Sequence, residues 1–363
     1  LIPGYATEDG TAGYRDRMAD VLAPSHFRRA CDMWWSSVGI GTYLGGIDAA
    51  TDKMVADAVT QAIGGGINVV DSAANYRSER GERSVGAALS RLIDSGAARR
   101  DEIIVCTKGG YVPHGPDRFL ADHVRPGGTI TRADLVGGHC MHPDYLAAQM
   151  EQSRRNLGIE TIDLYYVHNP ESQAGMVDAA TFDARIEAAF RMLERAVAEN
   201  RIRAYGIASW NAFRAAPGTP KHMALSHAKA LAGRAAAGGP DHLRFVQLPL
   251  NLAMPEALKT PTQRVGDHTM AAVQAALTLD LGVVTSGSIG QGRIGALPAD
   301  LRNALGSALR SDAQRALQFT RSAPGVTTAL IGMKQPRHVD ENLALCAAAP
   351  LDAGVYRGLL GLK

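Results

Sequence analysis

The sequence predicts an α/β fold, a closed (β/α)8 TIM barrel with long βα loops at its C-terminal face, and three observations carry that prediction. Eight short β-rich runs recur along the chain, each closing on a polar or small residue. The runs are near-continuous hydrophobics rather than strict alternations, the pattern of parallel strands covered by helices. Between them stand stretches of Ala, Leu, Arg and Glu with helical character, and eight such units suit a closed barrel better than an open sheet.

Residues 1–36 read as an N-terminal extension with Pro3, Pro24 and several aperiodic glycines, which either plugs the barrel bottom or wraps around it. The first strand is SVGIGTY (37–43), and DAATDKMVADAVTQAI (48–63) is the helix after it. The Gly64–Gly66 triplet stops that helix, because glycine enters left-handed conformations without a Cβ clash. INVVDSA (67–73) is the second strand; RSERGE (77–82) leads into the helix ERSVGAALSRLI (82–93). EIIVCTK (102–108) is the third strand, and residues 109–141 after it are longer than a barrel connection needs. HPDYLAAQMEQSRRNL (142–157) is a helix and IDLYYVH (162–168) the fourth strand. In the helix FDARIEAAFRMLERAVAE (182–199), Ile186, Phe190, Leu193 and Val197 recur at spacings of 3 or 4 and make one apolar core stripe. IRAYGIAS (202–209) is the fifth strand, HAKALAGRAAAGG (227–239) a helix running into a turn, and LRFVQLPL (243–250) the sixth strand. A second long loop, 251–267, precedes a predicted helix HTMAAVQAALTL (268–279) and the strands LGVVTSG (281–287) and VTTALIG (326–332). The chain, 1–363, is thus expected to be a single barrel domain whose loops 109–141 and 251–267 wall or cover a site.

Composition excludes several classes of function. A 46% hydrophobic and 20% charged chain has the make-up of a globular protein rather than a disordered one. A formal charge of +2, without a long basic block among aromatics, argues against a nucleic-acid partner. The longest apolar runs fall far short of the roughly 20 residues that cross a bilayer, so no membrane partner is expected and the cytoplasm is the expected location. The cysteines at 31, 106, 140 and 346 form no CxxC pair, which fits a reducing compartment, and Cys106 reads as core.

The chemistry is predicted at the strand ends. Asp71 lies near the end of the second strand, Lys108 closes the third, His168 closes the fourth, and Tyr76 sits one short loop beyond Asp71. In a parallel barrel these ends share one face, so an acid, an amine, an imidazole and a phenol converge. A phenol with an ordinary pKa near 10 is a poor proton carrier at neutral pH. A nearby ammonium lowers it, and a carboxylate on that ammonium keeps it charged and aimed. Tyr76 then serves as general acid or base at a carbonyl oxygen, with His168 orienting the carbonyl.

DSAANY (71–76), VCTK (105–108) and YYVHNP (165–170) resemble the catalytic tetrad segments of the aldo-keto reductases, and the resemblance runs from about residue 37 to about 347. It implies an NAD(P)-dependent oxidoreductase whose catalytic residues are Asp71, Tyr76, Lys108 and His168. In GIASWN (206–211) Ser209 matches the serine that holds the nicotinamide carboxamide, Trp210 occupies the usual asparagine position, and Asn211 is the substitute. Gln247 matches a second carboxamide contact, while Leu250 stands near where many members carry the stacking aromatic. The loop TSGSIGQGRIG (285–295) is assigned to the pyrophosphate through Ser286, Ser288, Gly290 and Arg293. In IGMKQPRHVDENL (331–343) Glu341 and Asn342 match adenine contacts, His338 falls at the position facing a 2′-phosphate, Gly332 replaces a lysine of some members, and Lys334 and Arg337 supply charge. This mixture favours NADP, with NAD as the other cofactor the family uses.

The substrate is expected to be a small carbonyl or alcohol, an aldehyde, ketone or sugar. Tyr111 and His114 in the long loop, with Trp210 opposite, are its expected walls. A barrel that keeps the cofactor but acts as a regulatory or accessory subunit is the alternative, and retention of all four polar strand-end residues argues against it. A metal-dependent hydrolase is the third reading, because His114, His123, His139 and His142 crowd one loop among Asp117, Asp122, Asp134 and Asp144, but without an established ligand spacing.

Overall fold

The computed structural model describes residues 1–361. Two antiparallel strands, β1 (Phe27–Ala30) and β2 (Met33–Ser36), precede the barrel strands β3 (Val38–Gly41), β4 (Val69–Asp71), β5 (Ile104–Gly109), β6 (Ile162–His168), β7 (Ile202–Ala208) and β8 (Leu243–Pro249). A small hairpin, β9 (Gln263–Val265) and β10 (His268–Met270), separates these from β11 (Gly282–Ser286) and β12 (Val326–Gly332). The eight strands β3–β8, β11 and β12 close into an all-parallel barrel, with β12 pairing β3 at the seam. All eight predicted runs therefore become barrel strands, shortened at some ends, with β5 running one residue further to Gly109.

The barrel interior is packed rather than hollow. Val69, Ile104, Leu164, Tyr166, Phe245, Val284 and Leu330 fill it, together with Cys106. Trp35 closes the lower end: it is fully buried, its ring lies 4.6 Å from that of Phe245, and its indole N–H donates to the Ala30 carbonyl. The extension does both: Trp35 and Ala6 plug the lower end, while Tyr14 packs in the outer layer and donates to the Ile63 carbonyl. Outside the strands, apolar helix faces complete the core; Ile186, Phe190 and Leu193 are buried in the helix Ala179–Ala198, and Val197 packs at its margin. After the helix Ala49–Gly64 the chain turns at Gly66, with φ +110°, where a Cβ would stand 2.2 Å from Leu22.

The structure differs from the sequence reading at 268–279. His268–Met270 form a strand, and the helix begins only at Ala272. The two long loops carry structure of their own. A helix spans Pro116–His123 within 109–141, and a short helix, Glu256–Lys259, lies within 251–267. Among the described residues no helix is long and apolar enough to cross a membrane.

Candidate active site

Strand pairing sets the four predicted residues around one point. Asp71 ends β4, Lys108 stands one residue before the end of β5, and His168 ends β6. Beyond β4 the chain stays tied to β5, since the Ser72 and Ala74 amides donate to the carbonyls of Cys106 and Lys108. Three consecutive left-handed residues, Arg77, Ser78 and Glu79 (φ 51°, 52° and 69°), then reverse the chain immediately after Tyr76. The helix they lead into begins at Arg80, two residues earlier than the sequence suggests. The Arg77 side chain anchors this reversal on Asp52 (2.8 Å) and Ser84 (2.9 Å).

The Lys108 ammonium is fully buried and donates to the Asp71 carboxylate, to the Ser72 carbonyl (2.8 Å) and to the Tyr76 hydroxyl (3.3 Å). Gln247 donates to the other Asp71 oxygen at 2.9 Å. The Tyr76 ring stands edge-on to His168, 5.9 Å between centroids. Burial opposes the Lys108 charge, but Asp71 and Tyr76 together outweigh it and hold the ammonium above the ordinary lysine range. Burial lifts the Asp71 carboxyl above its usual value, with Lys108 and Gln247 pulling against it. Tyr76 departs from the sequence expectation: burial raises its hydroxyl above the ordinary phenol value, and the nearby Lys108 only reduces that rise. The physical reason is that the apolar barrel mouth removes more water from the phenolate than one ammonium replaces. Burial, then Lys108 and His139, drive His168 well below the usual histidine range, so its imidazole is neutral at physiological pH.

These groups form one end of a cavity of about 790 Å³. It runs from Tyr76, His168, Tyr111 and Trp210, past Ser209 and Gln247, to Ser286 and Ser288. Gly332, Lys334, His338, Glu341 and Asn342, from β12 and the segment after it, also line it.

The sequence model described as Aldo/keto reductase family matches residues 37–217, the stretch holding Asp71, Tyr76, Lys108 and His168. The chain belongs to the aldo/keto reductase family. Among curated relatives, a D-threo-aldose 1-dehydrogenase from Pseudomonas sp is 30% identical over 40% of this chain and 40% of its own. A 6-dehydroglucose reductase from Novosphingobium aromaticivorans is 24% identical over 53% and 54%. This aldo/keto reductase thus spans about half the length of the curated relatives it matches. A solved aldo/keto reductase from Klebsiella pneumoniae, in complex with NADP and acetate, shares the fold at TM-score 0.63 and 19% identity, covering 92% of this chain and 94% of that one. A glycerol dehydrogenase from Gluconobacter oxydans does so at TM-score 0.62 and 20% identity, over 93% and 95%.

Most residues predicted to hold a cofactor line the cavity of this aldo/keto reductase, and four do not; one of them, Arg337, is exposed and donates to Gln335 at 2.9 Å. Asn211 turns away: its amide N–H donates to Glu171 and its side-chain oxygen faces Arg214. Gly290 and Arg293 flank the cavity while Gln291 and Gly292 line it, because they are the two middle residues of the turn closed by the Arg293 amide on the Gly290 carbonyl. Of the substrate walls, Tyr111 and Trp210 are in place, but His114 is exposed and pairs with Glu79 at 3.2 Å. The loop histidines do not cluster. His123 packs edge-on to Tyr145, His139 is buried, and His142 accepts from the Asp144 amide.

Sequence reasoning missed Asn169 and Glu171. The Asn169 side chain accepts from the Trp210 amide at 2.9 Å and lines the cavity. One buried Glu171 oxygen accepts from the Ser209 hydroxyl (2.8 Å) and from the Trp210 and Asn211 amides (2.9 Å each). The available signal was the glutamate itself, three residues beyond a strand-end histidine.

The cavity suits a dinucleotide on its own chemistry. The Ser288 hydroxyl is buried in the cavity wall without a hydrogen-bond partner, a donor waiting for an acceptor at the expected pyrophosphate position. Lys334 and His338 add hydrogen-bond donors to the same wall.

Proposed function

We propose that this aldo/keto reductase is an NAD(P)-dependent oxidoreductase interconverting a small carbonyl compound and its alcohol, with NADP favoured. The observation that carries this reading is the Tyr76 hydroxyl, 3.3 Å from a buried ammonium that is itself held by Asp71, on a cavity of about 790 Å³ that also takes in Ser209, Ser286, Ser288 and Asn342.

A bound nicotinamide supplies or accepts the hydride. The protein's share is the proton. In reduction, Tyr76 gives its hydroxyl proton to the carbonyl oxygen, and the phenolate left behind is stabilised by the Lys108 ammonium. Asp71 keeps that ammonium charged and aimed, and Gln247 fixes Asp71. In alcohol oxidation the same phenolate takes the proton back. His168, neutral and edge-on to Tyr76, can orient the substrate oxygen without adding a second positive charge. Ser209, Gln247, Ser286, Ser288, Glu341 and Asn342 would hold the dinucleotide; Tyr111 and Trp210 would wall the substrate. The Klebsiella protein's complex with NADP supports the cofactor assignment, and the names of the curated relatives put sugars among the substrates to test first.

The test is nicotinamide turnover with both cofactors against a panel of aldehydes, ketones and sugars, for the wild type and Tyr76→Phe. Loss of the proton donor should lower turnover by about 10²–10⁴-fold while cofactor binding persists. Tight NADPH binding without turnover on any member of the panel would favour the regulatory alternative instead.

A further inference from the structure

The long loop 109–141 carries a fully buried histidine that the proposed chemistry does not use. We infer that His139 is a positioning residue that fastens this loop, and with it Tyr111, to the backbone of His168, so that the substrate wall and the histidine form one rigid unit. The inference rests on the proposed reading only for its kinetic consequences.

His139 has no solvent exposure, and its Nε2 lies 2.7 Å from the His168 carbonyl oxygen. A carbonyl can only accept, so Nε2 carries the proton and Nδ1 is the acceptor. Nδ1 is met by the side-chain amide of Gln173 at 3.1 Å, and the same amide reaches the His139 carbonyl. The other end of Gln173 accepts from Arg185 at 2.7 Å, and Arg185 donates to the Ala133 carbonyl at 2.9 Å. Two points of the loop, 133 and 139, are therefore held from the segment that follows His168.

Tyr111 is part of the same unit. Its ring stands edge-on to both imidazoles, 5.0 Å from His139 and 5.2 Å from His168, and its hydroxyl bonds Ser172 at 2.6 Å. Gly110 permits the close approach: it has φ +134°, and a Cβ there would stand 2.4 Å from His139 Nε2. Burial drives the His139 imidazole down to about 4, against the pull of the His168 carbonyl, so the tautomer that makes these bonds persists through the ordinary pH range.

The test compares the wild type with His139→Ala, His139→Gln and Gly110→Ala as full chains. NADPH binding is followed by protein fluorescence, cleavage within 109–141 by limited proteolysis, and reduction of glyceraldehyde by NADPH absorbance. In His139→Ala the loop should be cut at least about tenfold faster, because its opening no longer breaks the buried bonds. Turnover should fall by about 10–100-fold with a raised KM for glyceraldehyde, the cost of a wall and a histidine displaced by about an ångström. The Kd for NADPH should stay within about twofold, since the dinucleotide contacts lie elsewhere. His139→Gln, whose amide can donate to the same carbonyl, should recover part of both losses, and Gly110→Ala should reproduce them with the imidazole still present. Unchanged proteolysis and turnover in His139→Ala would overturn the inference. So would a parallel loss of NADPH binding in a folded protein, which marks general structural damage. If His139→Ala fails to fold, His139→Gln and Gly110→Ala carry the same readings. If the wild type binds NADPH but reduces nothing, the proposed function falls, while loop protection still decides the role of His139.

Discussion

At the scale of single residues, Lys334 offers the sharpest test of cofactor choice. It lines the cavity, and among the described residues it forms no ion pair that would compete for its charge. A free ammonium there matters for a 2′-phosphate and little for a 2′-hydroxyl. Lys334→Ala should therefore weaken NADPH binding by about tenfold, the loss of one partly screened charge-assisted contact, and leave NADH nearly unchanged. Fluorescence titration with both cofactors measures this, and equal weakening of the two would remove Lys334 from that role. Asp71, Tyr76, Lys108 and His168 could be read only as a set, because each alone has an ordinary structural use while the ends of parallel barrel strands share one face, and the structure brings the four together. Tyr76's upward shift was not, because it depends on how much water the folded barrel mouth excludes. Glu171 and Asn169 were hidden for a different reason: they sit in an N-P-E turn whose residue types read locally as a loop, while their partners at 209–211 are distant in sequence. Arg293, Gly290 and His114 were misplaced because loop geometry has no periodicity to read.

At the scale of elements, the strands could be read from hydrophobic runs because most of their residues are buried on both faces, whereas the helix expected over 268–279 overran a hairpin. The Gly266-Asp267 pair between β9 and β10 is a two-residue hairpin signal, and the alanine-rich stretch behind it outweighed that signal in the pattern. The left-handed reversal at Arg77, Ser78 and Glu79 was illegible for the opposite reason, since none of the three is a glycine. A non-glycine residue in that region costs about 1–2 kcal/mol. The reversal persists because the anchored Arg77 and the strand ends on either side leave Tyr76 no other exit. Glycine at 78 removes the Cβ strain but adds freedom to the unfolded chain, so Ser78→Gly should be between neutral and about 1 kcal/mol more stable. Ser78→Ile, β-branched in the same conformation, should lose about 1–2 kcal/mol. Urea denaturation of the two variants checks this; equal stability of Gly and Ile at 78 would refute the left-handed geometry.

At the scale of the whole molecule, three buried histidines couple distant parts of the barrel to one solution variable. His26 lies at the plugged end, bonded to Gly66 and Ser37 and faced by the buried guanidinium of Arg321 and the half-buried one of Arg28; His139 and His168 lie at the other end. Burial, with those arginines, takes His26 down to about 3, and burial takes His139 down to about 4 and His168 well below the usual value. The folded protein thus stays unprotonated at these sites while the unfolded chain binds protons near pH 6.5, so stability is full above that pH and is lost as pH falls below it. One pH unit below, each histidine costs about 1.4 kcal/mol, roughly 4 kcal/mol for three. Asp71 and Glu82, both raised chiefly by burial, bind protons in the folded state first and offset part of this. The expected net loss between pH 7.5 and pH 5.5 is therefore about 1–4 kcal/mol, measured by urea denaturation at the two values. His26→Asn should shrink the pH-dependent loss by about 1 kcal/mol whatever it does to stability at pH 7.5. Imidazole proton resonances assigned to His26 and His139 should keep their neutral positions down to pH 5, and titration of either near pH 6.5 in the folded protein would show that the barrel does not exclude water as its packing implies.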